Sequence, residues 1–436
     1  MECDVDNKIE QKIDLFIQAF LTCNQVDAEN LFVFQKNSIQ EYEQLINTQN
    51  NLLFVAALME CLRNKKITAL FNPLWLSEKQ KIVKSQSKVL SSLSIDIDVS
   101  KPKLEEEAVF LIPTGGTSGE IKLVIHDFLR ISTSVSGFRN FFGLERVNCF
   151  CVLPLYHVSG FMQVMRSLLS EGSFYLGDYG SLKRGILPEG DFSDFCISLV
   201  PTQLQVLLDV CPEWLQQFRL ILIGGAPAWR SLLEKAREYQ LNIALTYGMT
   251  ETASQVVALK PEDFLAGKNC AGQVLPHAKV NLDEDGLISI EAKSLFHGYY
   301  PELRGDRPFV TDDIGYFDDE GFLHIVGRKS QKIISGGENI YPNEIEATIQ
   351  ATGMVSDVAV CGMPDEYWGE AVTAVIVLKS GATSEEVKTA IANRLSRYKL
   401  PKLWLCVSKL PRNAQGKLNR TILREMIEKD YQSEES

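Results

Sequence analysis

Histidine is scarce, with five in 436 residues, and none of the ten cysteines forms a Cys-x-x-Cys pair; only Cys149 and Cys151 stand close together. Those shortages exclude a zinc-ribbon site and a disulfide framework, and they imply reduced thiols in a cytoplasmic protein. No apolar run reaches the ~18 residues that a membrane-spanning helix needs. The longest candidate, 52–59, ends at Glu60. The chain opens acidic, through Glu2 and Asp4, without the positive stretch that begins a secretory signal. Basic charge is also short, with 44 Lys and Arg against 56 Asp and Glu and a formal net charge of -12. A surface that acidic repels phosphate backbones and excludes a nucleic-acid-coating protein, while a pocket of glycines and a few cations still sets its own local field. Repeats and low-complexity tracts are missing too. What is present, 45% apolar and 23% charged residues, is the make-up of a soluble globular enzyme.

Along the chain, 67–71 reads as a strand after a helical pattern that ends near Arg63, and a charged helix is expected from Ser77. The apolar runs 108–113, 149–154, 195–200, 220–223 and 243–247 each read as a buried strand followed by a helix. Such alternation predicts α/β layers with mostly parallel pairing. From Gly272 to Val326 the runs shorten and Gly, Asp and Pro become frequent, which predicts an antiparallel β section. After Gly327-Arg328 a separate α+β unit is expected. It holds a helix from Asn343, strands near 358–361 and 372–378, a helix from Ser384 and a last helix after Lys417. The reading divides the chain into a large domain, 1–329, and a small mobile one, 330–436.

The strongest local signal runs from Ile112 to Lys122. A strand enters a turn holding Gly115, Gly116 and Gly119 with Thr114, Thr117 and Ser118, closed by Lys122. Glycines let backbone N–H groups converge on an anion, and hydroxyls add uncharged donors. A P-loop is excluded, because Glu120 follows Gly119 where that motif needs lysine. Alone, the segment also fits an ordinary Gly/Ser surface turn. A second signal, Tyr247-Gly248-Met-Thr250-Glu251, ends a predicted strand. There Tyr247 can stack on a base, Thr250 can bond a phosphate and Glu251 can hold Mg²⁺, which favours one carboxylate plus substrate phosphates. A helix cap explains the same residues equally well. The third, Thr311-Asp312-Asp313 followed by Gly327-Arg328, offers a carboxylate for ribose hydroxyls and a nearby guanidinium, or else an Asp-rich turn. The fourth is Lys417 after a glycine in a polar loop, which taken alone is a solvated lysine.

Together, from about Ala108 to Arg420, these segments stand in the order found in the ANL superfamily of adenylate-forming enzymes, which the chain resembles. The resemblance places the family's phosphate loop on Thr114–Lys122 and its gate motif on 153–160, with His157 as a residue that gates or lines the acyl pocket. The adenine-lining segment falls on Gly224, Gly225, Ala226 and Pro227. The ribose carboxylate falls on Asp313, the hinge after Arg328 near Ser330, and the late adenylation lysine on Lys417. It implies a large domain of α/β layers plus a β section, then a small mobile α+β domain that rotates between half-reactions. Gly336 and Gly337 would let that domain's backbone approach the thioester site. Two positions depart from the family pattern: Asp312 stands where glycine is usual, and Ser330 where aspartate is common. The stretch before the phosphate loop is shorter than is usual, as if part of the N-terminal subdomain were trimmed.

Within the superfamily, segments 224–227, 250–255 and 336–342 look like those of the 2-succinylbenzoate–CoA ligases of menaquinone and phylloquinone synthesis. The implied substrates are a small carboxylic acid, ATP and coenzyme A, with Mg²⁺ on Glu251 and neither nucleic acid nor membrane as partner. Other aryl- or acyl-CoA ligases, an enzyme loading a carrier protein, and a non-catalytic adenylate sensor are the competing readings. Arg139, Arg166 and Lys183 are candidates for the acid's carboxylates by charge alone, each expected at the surface.

Overall fold

In the computed structural model, which describes residues 2–24, 45–46, 51–64, 67–70, 108–115, 121–300, 302–412 and 418–434, the strand Leu220–Ile223 is apolar and buried at every position. Leu220 and Leu222 enter one buried cluster and Ile221 and Ile223 another. A strand buried on both faces belongs inside a covered parallel sheet. It lies near the centre of a seven-stranded sheet ordered Gln273–Val274, Ser254–Ala258, Ile243–Met249, Leu220–Ile223, Phe195–Leu199, Asn148–Cys151 and Phe174–Leu176. Pairing is parallel from Phe174–Leu176 to Ile243–Met249 and antiparallel beyond. Helices Val158–Ser170, Pro201–Val210 and Arg230–Glu238 follow three of the parallel strands, as the alternation predicts.

A second sheet of six strands, Leu45–Ile46, Ile67–Leu70, Val109–Gly115, Ile121–Asp127, Gly298–Tyr299 and Glu302–Leu303, shares the first buried cluster through Phe110 and Ile112. Two expectations need correction here. Val109–Gly115 is followed by an antiparallel return strand, not directly by a helix, with Thr114 opposite Lys122 and Gly115 opposite Ile121. Ile243–Met249 is followed by the short turn Thr250–Thr252 and the antiparallel strand Ser254–Ala258. A short apolar run reports burial and says nothing about the direction of its neighbour. The helix after the first return strand, Phe128–Phe142, starts where the Asp127 carboxylate accepts the Arg130 N–H at 2.8 Å and stops at left-handed Gly143. The helix expected from Ser77 lies outside the described residues.

The β section expected at 272–326 is a four-stranded antiparallel sheet, Ala278–Leu282, Leu287–Ala292, Phe309–Phe317 and Leu323–Arg328. The small C-terminal domain is built on a five-stranded sheet of Glu338–Ile340, Ile333–Ser335, Gly369–Leu378 and Val355–Asp365, with Leu403–Cys406 beside Gly369–Leu378. Helices Pro342–Gln350, Ser384–Ile391 and Arg420–Glu434 accompany it, close to the expected positions. Its two faces have separate cores, one around Ile345, Val360 and Ile376, the other around Ala359, Val375 and Ile427.

Candidate active site

Three parallel strands discharge their predicted segments at one edge of the seven-stranded sheet. Asn148–Cys151 leads to His157, Leu220–Ile223 to Gly224, Gly225, Ala226 and Pro227, and Ile243–Met249 carries Tyr247 and Gly248. Ile223 pairs with Leu245, so the last two segments emerge side by side. In open α/β sheets the crevice beyond the carboxyl ends of the strands is where ligands bind. Gly248 has a steric reason to be glycine, because a Cβ there would stand 2.5 Å from the Gln255 Cα of the return strand.

Asp313 and Arg328 face each other across adjacent strands of the β section. The Asp313 carboxylate accepts the Tyr247 hydroxyl at 2.9 Å and pairs with the Arg328 Nε at 3.3 Å. Its own N–H donates to the Thr311 hydroxyl at 3.1 Å, and that hydroxyl donates to the Ile288 carbonyl at 2.9 Å. Burial, then the neighbouring Asp313 charge, drives the Tyr247 phenol above its ordinary range, so it stays a neutral donor. Two signals read separately in the sequence, Tyr247 and the pair Asp313 and Arg328, thus meet at one buried carboxylate.

A second cluster surrounds the turn Thr250–Thr252. The buried Glu251 accepts the Tyr299 hydroxyl on Oε1 at 2.7 Å, with no second hydrogen-bond donor on its carboxylate among the described residues. The ammonium of Lys122, at the base of the glycine-rich segment, lies 4.9 Å from the centre of the Tyr299 ring. Burial, then the Glu251 charge, keeps the Tyr299 phenol protonated. The Thr250 carbonyl meets the His126 Nε2 at 2.7 Å. Burial pushes the His126 imidazole down to about 4, against the opposing pull of that bond; the neutral ring therefore donates through Nε2 and leaves Nδ1 unpaired. Beside it, Asp127 receives His297 at 2.6 Å and the Arg130 guanidinium at 2.6 Å, and Arg130 Nε reaches the Leu295 carbonyl at 2.6 Å. The turn closes through two non-glycine residues with positive φ, Ala253 at 51° and Ser254 at 94°, strain that the surrounding bonds must hold.

Among the described residues no group of three or more His, Cys, Asp or Glu gathers to cage a metal. A lone buried carboxylate beside a threonine suits magnesium all the same, since that ion takes most of its oxygens from water and substrate phosphates. Thr114, Gly115 and Lys122 stand at the base of the glycine-rich segment, with Thr114 opposite Lys122. Gly116, Thr117, Ser118, Gly119 and Lys417 lie outside the described residues. Gly336 (φ 59°) and Gly337 (φ 83°) form a two-residue hairpin tip, the conformation that favours glycine at both positions. The Gly336 N–H donates to the Trp368 carbonyl at 2.8 Å. His157 begins the helix Val158–Ser170; its Nε2 is buried without a partner, and burial lowers its pKa to about 4.

Arg166 corrects the sequence reading, since it is 3% exposed rather than on the surface. Its Nη2 donates to Ser254 Oγ at 2.8 Å and Gln255 Oε1 at 2.6 Å, its plane lies 4.4 Å from the Phe138 ring centre, and its Nε has no partner. Lys183 is exposed, and the half-buried Arg139 braces the turn after its own helix by donating to the Leu144 carbonyl at 3.2 Å. The sequence reading missed His126 and Tyr299. Their positions in the strand Ile121–Asp127 and in Gly298–Tyr299 carry no local signature, and only pairing in one sheet brings them to Thr250 and Glu251.

Residues 19–300 match the AMP-binding enzyme family, and residues 344–417 match the AMP-binding enzyme C-terminal domain. The chain belongs to the AMP-binding enzymes. Within that family, the 2-succinylbenzoate–CoA ligase of Listeria monocytogenes serovar 1/2a is 36% identical over 345 residues, covering 76% of this chain and 73% of the relative. Among solved AMP-binding enzymes, the o-succinylbenzoate CoA synthetase of Bacillus subtilis, in complex with the acyl-adenylate intermediate OSB-AMP, superposes with a TM-score of 0.76 at 28% identity. That match covers 90% of this chain and 92% of the other. The same synthetase in complex with ATP and magnesium gives a TM-score of 0.74 at 28% identity, covering 90% and 93%.

Proposed function

We propose that this AMP-binding enzyme is an ATP-dependent 2-succinylbenzoate–CoA ligase of menaquinone or phylloquinone synthesis. A carboxylate oxygen of the acid attacks the α-phosphorus of ATP and pyrophosphate leaves. The sulfur of CoA then attacks the acyl carbon, the thiol proton passes to solvent, and AMP leaves. The observation that carries the reading is the meeting of Tyr247, Asp313 and Arg328 at the crevice, in a chain whose relatives bear that enzyme's name.

Catalysis here needs positioning and charge stabilisation rather than a protein nucleophile. The adenine lies along Gly224–Pro227 against Tyr247, Asp313 accepts the ribose hydroxyls, and Arg328 holds Asp313. The loop Thr114–Lys122 and the Thr250 hydroxyl take the phosphates. Glu251 holds magnesium, which when bound offsets phosphate charge. Lys417 spans the attacking carboxylate and the α-phosphate. A neutral His157 lines the acyl pocket. Arg166 supports an acid with a second carboxylate: a guanidinium does not lose its charge in a protein, and its hydrogen-bond partners among the described residues are neutral.

Residues 1–329 form the nucleotide- and acid-binding domain and 330–436 the mobile one, which swings about Ser330 to bring Gly336 and Gly337 to the thioester step. No helix among the described residues is long and apolar enough to cross a membrane. The cytoplasm as working compartment is supported by free cysteines, Cys149 and Cys196 among them. The test is pyrophosphate release with 2-succinylbenzoate, benzoate, cinnamate and fatty acids, followed by thioester formation with CoA. Highest kcat/KM is expected for 2-succinylbenzoate; a medium-chain fatty acid in first place would overturn the substrate.

A further inference from the structure

We propose that Tyr299 is a positioning residue that aims the Glu251 carboxylate at the metal–phosphate site and ties it to the base of the phosphate loop. The inference rests on the proposed role of Glu251 as the magnesium ligand. Glu251 sits on a strained turn at the end of Ile243–Met249, and Tyr299 sits in the other sheet, paired opposite Val124. The two meet through a single bond of 2.7 Å from the phenol to Oε1. Lys122 shares the strand Ile121–Asp127 with Val124, and its ammonium rests over the face of the same phenol ring.

One rigid side chain therefore joins a cation at the foot of the phosphate loop to the carboxylate across the crevice. A carboxylate with one oxygen fixed by a hydroxyl keeps its second oxygen in a set direction, as an outer partner does for a metal ligand. The hydroxyl is hydrogen-bonded to the one group that needs orientation. The ring face, rather than the hydroxyl, receives Lys122, so removing the oxygen alone separates the two contacts. His126 holds the preceding carbonyl from the same strand, so the turn is gripped at consecutive residues.

The experiment compares wild type, Tyr299→Phe and Glu251→Gln in the full chain. Free Mn²⁺ is counted by electron paramagnetic resonance during titration with ATP, and ATP binding in EDTA is measured by calorimetry. Tyr299→Phe is expected to weaken Mn²⁺–ATP binding about tenfold, the scale of a hydrogen bond to a charged group, while metal-free ATP binding stays unchanged. Glu251→Gln is expected to weaken the metal-dependent part at least as much. If Glu251→Gln weakens it and Tyr299→Phe leaves it unchanged or makes it tighter, Tyr299 does not position Glu251 and the inference falls alone. If Glu251→Gln has no effect, the metal role of Glu251 falls and the inference with it. Equal weakening of metal-free and metal-dependent binding by Tyr299→Phe also overturns the proposal, because a general packing defect would do that.

Discussion

At neutral pH His126, His157 and His277 carry no charge, because burial drives each from the ordinary 6.5 to about 4. Between those values the unfolded chain binds protons that the folded molecule excludes, so stability falls as the pH drops from about 6.5 to about 4. Asp127 acts lower down. Burial pushes its carboxyl up, but His297 and Arg130 outweigh burial and hold it at about 2. Its contribution is present above 3.8 and is lost only as the pH falls toward 2. Denaturant midpoints are therefore expected to decline steadily from pH 6.5 to 4, with a shallower decline in His157→Phe. A level or rising midpoint across that window would contradict buried neutral imidazoles. None of these states is legible in the sequence. His157 was visible through its motif, but His126 answers to a carbonyl 124 positions away, and Tyr299 to a carboxylate 48 positions away. Arg166 misled for the same reason, since a charged side chain reads as exposed until its helix is seen packed on all sides.

At the scale of elements, apolar runs located the strands at 67–70, 109–115, 148–151, 195–199, 220–223 and 243–249, and the shortened runs with frequent Gly, Asp and Pro marked the β section. Ile121–Asp127, Phe174–Leu176 and Ser254–Ala258 went unread. What the runs left open was direction. The runs at 109–115 and 243–249 are as apolar as their parallel neighbours, yet each is followed by a return strand, a choice made by turns and not by the runs. The same limit hid the contact between the two departures from the family pattern. The Ser330 N–H donates to Asp312 Oδ1 at 3.0 Å and its hydroxyl donates to Oδ2. A carboxylate usual at the hinge thus stands here on the neighbouring strand, facing a serine. Both residues are exposed, so the bond is worth at most about 1 kcal/mol, or about fivefold in an equilibrium. Asp312→Gly is expected to speed trypsin cleavage after Lys329 about two- to fivefold while ATP affinity is kept. An unchanged cleavage rate would show that the bond contributes nothing to order at the junction.

For the whole molecule, the proposed chemistry divides between domains, and Lys417 tests that division. Lys417→Ala is expected to slow acyl-adenylate formation by about 10²–10³, the loss of one preorganised charge donor. The thioester step, started from supplied acyl-adenylate and CoA, should be nearly unaffected. Single-turnover kinetics of each half-reaction decide it, and equal losses in both would end the two-pose mechanism. The two small-domain cores are drawn, among the described residues, from 333–427 alone. Among the described residues, no large-domain side chain enters either cluster. Such a molecule is expected to melt in two units that heat capacity records separately. Scanning calorimetry is expected to show two transitions, with ATP raising the larger and leaving the smaller in place. One sharp transition would mean that the junction, slight as its hydrogen bonds are, makes the halves melt as one.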